Sequence, residues 1–222
     1  LLFVAGVLAV ISGVTTILAG ALHPSPTDAT TMHEAVMEMT ASSNWDAAHW
    51  ASLIGFPLVA VTLALLIEAP HLTGRTTVLG LARVAMLGAL FMSVEAAVHL
   101  VSGGERAQLA AGEPTPLLDV SQHMQSVGWP WFGLAIAGLA LAGIQNKALS
   151  GRWPGIIGAV GGVALAMGGL LTEGLEVIQA GILFPLGMLM SLWLFWVGIR
   201  LSRAALGEPT AQHMVPAPTT HR

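Results

Sequence analysis

Residues 84–101 read VAMLGALFMSVEAAVHLV, an apolar run interrupted by Ser93, Glu95 and His99. At 1.5 Å per residue, a helix of this length approaches the ~30 Å thickness of a bilayer's hydrocarbon core. Glu95 and His99 stand four residues apart and therefore share one helix face. A charged carboxylate at mid-span costs about 2.5–3.5 kcal/mol on insertion scales, so such a residue needs a partner and suggests a function. Gly88, Met92, Glu95 and His99 follow a three-to-four-residue stripe. The stripe predicts that Glu95 faces a bundle interior and is coupled to His99.

The rest of the 222-residue chain has the same character: 55% of residues are hydrophobic and 9% charged, and the mean hydropathy is +0.76. Soluble domains carry about 25% charged residues, so the pattern predicts a chain dissolved in lipid. The 26 glycines suit close helix packing in a bilayer. There is no cysteine, which excludes disulfides, thiolate metal sites and iron–sulfur clusters. No basic stripe interleaved with aromatics points to nucleic acid.

Five further runs complete an all-α bundle of six transmembrane helices: about Leu1–Leu22, Asp46–Glu68, Thr76–Val101, Val127–Ile144, Gly155–Ile178 and Gly181–Leu201. Leu1–Leu22 exceeds the ~7–15 residues of a signal-peptide core and is read as a retained span, although Ala19-Gly20-Ala21 resembles a cleavage site. Thr31-Met-His-Glu34 is a capping-box pattern that opens a short segment from His33 to Thr40. Its Met32, Val36, Met37 and Met39 are read as apolar anchors on the membrane surface. Gly158-x-x-x-Gly162 has a close-packing spacing. Residues 1–206 form one transmembrane domain on this reading, and 207–222 a disordered Pro/Thr-rich tail.

Basic residues set the orientation. Arg75, Arg83, Lys147, Arg152, Arg200 and Arg203 share one side, whereas the other has Arg106 alone against seven carboxylates. The positive-inside rule makes the basic side cytoplasmic, with both termini inside a multi-pass cell-membrane protein. Trp45, Trp50, Trp129 and Trp131 then fall in an outer aromatic belt.

With that topology His23, His49, His99 and His123 all lie at the outer boundary, as two similar His–loop–His–Trp hairpins. Glu95, Glu173 and Glu176 lie beneath them. Imidazole suits Zn, Cu and Fe, and a metal-bound histidine usually donates its other N–H to a carboxylate. The four histidines and three glutamates are therefore candidate ligands of a transition metal ion. The four histidines are equally candidates to clamp haem b. Redox, sensing or delivery at the outer face would follow.

Two other classes fit: a non-catalytic membrane subunit or scaffold, with a membrane-protein partner or a second copy of itself, and a small proton-coupled transporter using Glu95, Glu173 and Glu176. His71, His213 and His221 fall on the inner side or in the tail. His-Glu-x-x-His, paired Glu-x-x-His motifs, Gly-x-Ser-x-Gly and a Walker loop are all missing.

Overall fold

The computed structural model describes residues 1–26, 28–69, 76–145 and 149–207. His71, Arg75, Lys147, His213, His221 and the tail from 208 lie outside the described residues. The elements are α1 (Leu2–Leu22), α2 (Met32–Ala41), α3 (Trp45–Ile67), α4 (Thr76–Ser102), α5 (Arg106–Ala111), α6 (Pro116–Gln145), α7 (Arg152–Gly169), α8 (Leu183–Gly187) and α9 (Leu189–Ala205). Short 3₁₀ turns cover Gly103–Glu105 and Ile178–Ile182, and a π-helical turn covers Leu170–Gly174. No strand occurs among the described residues.

Six helical segments are long and apolar enough to cross a membrane. They pack as a closed ring in which α1 meets α3, α3 meets α4, α4 meets α6, α6 meets α7, α7 meets α9, and α9 returns to α1. Large apolar side chains face outward all round it, among them Ile11, Leu18, Val61, Leu87, Val94, Leu134, Val160 and Leu192. Water would penalise such a belt and lipid would not, which is consistent with a six-helix membrane bundle.

Helices in lipid associate through close packing rather than hydrophobic expulsion, and glycine supplies the closeness at two seams. A Cβ on Gly133 of α6 would lie 2.5 Å from the carbonyl oxygen of Gly162 in α7, and a Cβ on Gly162 equally close to that of Gly133. Gly6 of α1 and Gly198 of α9 form the same reciprocal pair, at 2.8 and 2.6 Å. Gly158 rests on Trp193 of α9 while Gly162 meets α6, so the expected Gly158–Gly162 motif serves two neighbours rather than one. Thr16 also bonds Ser191 across α1 and α9, Oγ to Oγ, at 2.9 Å.

Three boundaries depart from the expected spans. The region 102–122, between the expected third and fourth spans, is mostly helical, and α6 starts at Pro116 rather than near Val127. Proline suits the first helical position, where no N–H is needed. The Glu105 carboxylate accepts from the amides of Leu117 and Leu118 at 3.1 and 2.9 Å, so the first turn is capped from a distance. The fifth span ends early, through the π turn. Val177 N–H then bonds Leu171 C=O at 2.8 Å, and Glu176 takes a left-handed φ of 56°. The sixth is offset around Met188, between α8 and α9.

The capping box stands as expected. Glu34 N–H donates to Thr31 Oγ1 at 3.2 Å, and Glu34 Oε2 accepts from Thr31 N at 3.1 Å. Trp50 and Trp131 face outward, whereas Trp45 is buried and Trp129 packs against Phe56 and Phe184. Trp45 and Trp129 are thus turned into the bundle, and only Trp50 and Trp131 of the four are presented outward.

Candidate metal centre

α1, α3 and α4 each bring one histidine to the same end of the ring. His23 caps the C-terminus of α1, His49 lies one turn into α3, and His99 lies in the last turn of α4. One ring nitrogen from each falls within 4.8 Å of the others. Zinc binds imidazole at about 2.0–2.1 Å, which sets tetrahedral ligand nitrogens about 3.4 Å apart. Side-chain adjustments of about an ångström would close the trio on an ion of that size. These three histidines can hold a metal ion.

Local hydrogen bonds select the free nitrogen. His23 Nδ1–H donates to Pro24 C=O at 2.9 Å, and His49 Nδ1–H to Trp45 C=O at 2.6 Å. For His99 we assign a relay: Nδ1–H to Ser121 Oγ at 2.6 Å, then Ser121 O–H to Glu95 Oε1 at 3.0 Å. Gln125 Nε2 donates to the same Glu95 oxygen at 2.7 Å and also touches His99 Nδ1. Glu95 Oε1 itself lies 3.2 Å from His99 Nδ1. The carbonyl partners hold His23 and His49 as the Nδ1–H tautomer with the Nε2 lone pair free, the arrangement in which hydrogen-bonded acceptors orient metal-bound histidines, and the assigned relay gives His99 the same one. His99 Nε2 is buried with no hydrogen-bond partner, and a buried polar atom left unsatisfied costs free energy.

Aromatic contacts pin the rings. His49 stacks on His99, and Trp45 lies 4.2 Å from His49 and 4.8 Å from His99, centroid to centroid. Gly103 allows the chain after α4 to pass directly over the Trp45 indole, where a Cβ would strike Nε1. His23 keeps an exposed edge but meets His49 edge-on at 5.3 Å. Desolvation of its ring, followed by repulsion from His99, lowers its pKa to about 4. His23 is therefore neutral, and able to act as a ligand, at physiological pH.

Of the seven expected ligands, the group within 4.8 Å contains only the three histidines; His123 and Glu176 point away, and Glu95 and Glu173 also lie outside it. His123 is exposed on the outward face of α6, its Nδ1–H donating to Asp119 C=O at 2.7 Å. The inward face there is Leu118, Ser121, Gln125, Gly128 and Phe132, a helical stripe that His123 misses. Had the segment been read as helix, this stripe would have singled out Ser121 and Gln125. Glu176 is exposed, because the left-handed turn at its own backbone ends the span. Glu173 is half-buried in the π turn, within electrostatic reach of His99 and Glu95. Glu95 is 3% exposed, facing the interior as its stripe predicts.

The fold and site together define a six-helix membrane-type bundle with a histidine cluster at one end. No protein-family model matches this chain, and neither a curated protein nor a solved structure does.

Proposed function

We propose that this chain is an integral membrane protein that binds a transition metal ion through His23, His49 and His99 at its extracytoplasmic face, for sensing, delivery or redox chemistry confined to that side. The observation that carries the reading is the shared geometry of the trio: one ring nitrogen from each histidine within 4.8 Å of the others, with Nδ1 of each ring held by a hydrogen bond. Such donors suit Zn, Cu and Fe. A haem clamped between two of them is disfavoured, since His49 lies directly against His99 and leaves no gap for a macrocycle. No second cluster of three potential ligands occurs among the described residues, which argues against an electron path from one surface to the other. Orientation rests on the basic-residue asymmetry.

The test is elemental analysis and an optical spectrum of protein purified in detergent, with His49→Phe alongside. Stoichiometric metal, lost in the variant and without a Soret band, is expected. A Soret band, or equal metal in both proteins, overturns the reading.

One observation favours a second reading, a non-catalytic membrane subunit. The Glu95–Ser121–Gln125–His99 network joins α4 to α6 through side-chain hydrogen bonds, and such bonds stabilise helix pairs without any ion. That reading predicts a chain equally stable with and without added metal.

A further inference from the structure

Trp45 is 5% exposed, and its indole N–H is buried with no hydrogen-bond partner among the described residues. An unsatisfied buried donor costs free energy, and phenylalanine would fill a core position without that cost. What the indole adds is a second ring. It stands one turn before His49 on α3, and its face reaches His49 at 4.2 Å and His99 of α4 at 4.8 Å, centroid to centroid. One side chain thus touches two of the three imidazoles, on two helices. Its backbone serves the same site, since Trp45 C=O accepts from His49 Nδ1–H at 2.6 Å.

The turn after α4 clamps the indole from another side. A Cβ on Gly103 would strike Trp45 Nε1 and stand 3.0 Å from Cδ1 and 3.3 Å from Cε2. Gly103 lies in a 3₁₀ turn, outside the left-handed region, so the contact uses its missing side chain and not its backbone freedom. The turn is itself held at both ends. Ser102 Oγ–H donates to His99 C=O at 2.7 Å, and Glu105 accepts from the amides of Leu117 and Leu118. A Cβ on the next residue, Gly104, meets nothing within 4 Å.

We infer that Trp45 is a positioning residue of the metal centre: its indole, locked in place by Gly103, holds the His49 and His99 rings where both can reach one ion. The inference rests on the metal-binding reading above and deepens it. Each histidine has two side-chain torsions that can turn its donor nitrogen away. A flat surface against both rings restricts those torsions before the ion arrives, so less affinity is lost in ordering them. Because the indole touches the rings and the turn touches the indole, the segment after α4 sets the grip of the site without contributing a ligand.

The experiment titrates detergent-purified full-length protein with Zn²⁺ and, separately, Cu²⁺, records the Cu²⁺ paramagnetic resonance spectrum, and measures the metal-free thermal midpoint. The proteins compared are wild type, Trp45→Phe, Trp45→Leu, Gly103→Ala, Gly104→Ala, the Trp45→Phe, Gly103→Ala double variant, and His49→Phe. Trp45→Leu, which removes the flat face, should weaken both ions on the order of 10–100-fold and alter the nitrogen splitting of the copper spectrum. Trp45→Phe, which keeps one ring of it, should fall between Trp45→Leu and wild type. Gly103→Ala should also weaken binding, although the three atoms nearest the new methyl all belong to the indole. Gly104→Ala should match wild type. Phenylalanine lacks the indole nitrogen, so the double variant should bind no more weakly than Trp45→Phe alone. If Trp45→Leu and Gly103→Ala lower only the thermal midpoint, with affinity and spectrum unchanged and binding still lost in His49→Phe, Trp45 merely fills space. The assignment then falls and the histidine site stands. Equal losses in Gly103→Ala and Gly104→Ala overturn the route through the indole. No binding by wild type, or binding unaffected by His49→Phe, overturns the positioning role and the histidine site together. If Trp45→Leu does not fold, Trp45→Phe and Gly103→Ala carry the comparison.

Discussion

His49 lies flat against His99, their ring centroids 4.4 Å apart and their planes inclined by 16°. The two rings come from adjacent helices, so the stack is at once a packing contact between α3 and α4 and the means by which two donor nitrogens stay together. These roles separate in one substitution. His49→Phe keeps a flat ring in the stack, somewhat larger than imidazole, and removes both ring nitrogens. Its thermal midpoint in metal-free buffer should stay close to wild type while metal retention falls to background.

Glu95 offers a contrast between two substitutions. Glu95→Gln keeps the side chain's shape and most of its hydrogen bonding. Glu95→Ala strips partners from Ser121, Gln125 and His99 together, and each buried polar group left unsatisfied costs about 1–3 kcal/mol. Denaturant titration in detergent should rank wild type and Glu95→Gln well above Glu95→Ala. Equal stability of all three variants would remove the network from the account.

The glycine seam makes a sharper claim. Gly133→Ala places a methyl against the Gly162 backbone, which cannot rotate away, so α6 and α7 must separate. Overpacking of this kind costs about 1–3 kcal/mol. Gly80→Ala, where a Cβ meets nothing within 4 Å, should instead be neutral or stabilising by about 0.5–1 kcal/mol. The melting midpoint of Gly133→Ala should fall, while that of Gly80→Ala stays or rises.

Topology can be read with cysteines, since the native chain has none. Ser43, just before α3, lies at the histidine end of the ring, and Ala205 closes α9 at the other; both are exposed. An impermeant thiol reagent on intact cells should label Ser43→Cys and spare Ala205→Cys. The reverse labelling would put the histidine cluster in the cytoplasm.

The cap of α2 predicts a pH dependence. Hydrogen bonds from the side chain and backbone of Thr30, then from the backbone of Thr31, lower the pKa of Glu34 below its ordinary value. A folded pKa below the unfolded one means that the unfolded chain binds the proton more readily. The contribution of the cap is therefore complete above the ordinary carboxylate value and is lost as pH falls through the lowered one. Amide exchange in the first turn of α2 should accelerate over that acidic window, and Glu34→Gln should flatten the profile.

The spans, the capping box and the inward stripe through Glu95 could be read because each is a periodic or local signal. The convergence of His23, His49 and His99 was legible for a related reason: alternating spans put all three at one boundary. Ser121 and Gln125 were missed because the stretch before Trp129 looked polar, and its helix is capped from Glu105, a partner outside the local window. His123 was placed with the others by its distance along the chain, although it lies half a turn away on the wrong face. Glu176 was lost to a left-handed residue that no composition announces, since glycine ordinarily takes that position.

The pairing of α1 with α9, sealed by Gly6 and Gly198, has a consequence for how the molecule comes together. It joins the ring neighbours furthest apart in sequence, and contacts with so large a loop to close form late. Until then the spans form an open arc. The helices that carry the three imidazoles are consecutive spans at the early end of that arc, each already beside the next. The donor set is thus drawn from segments that leave the ribosome before the closing helix does. A ligand trio encoded in this order can assemble on a half-built ring, and completing the circle locks it in place.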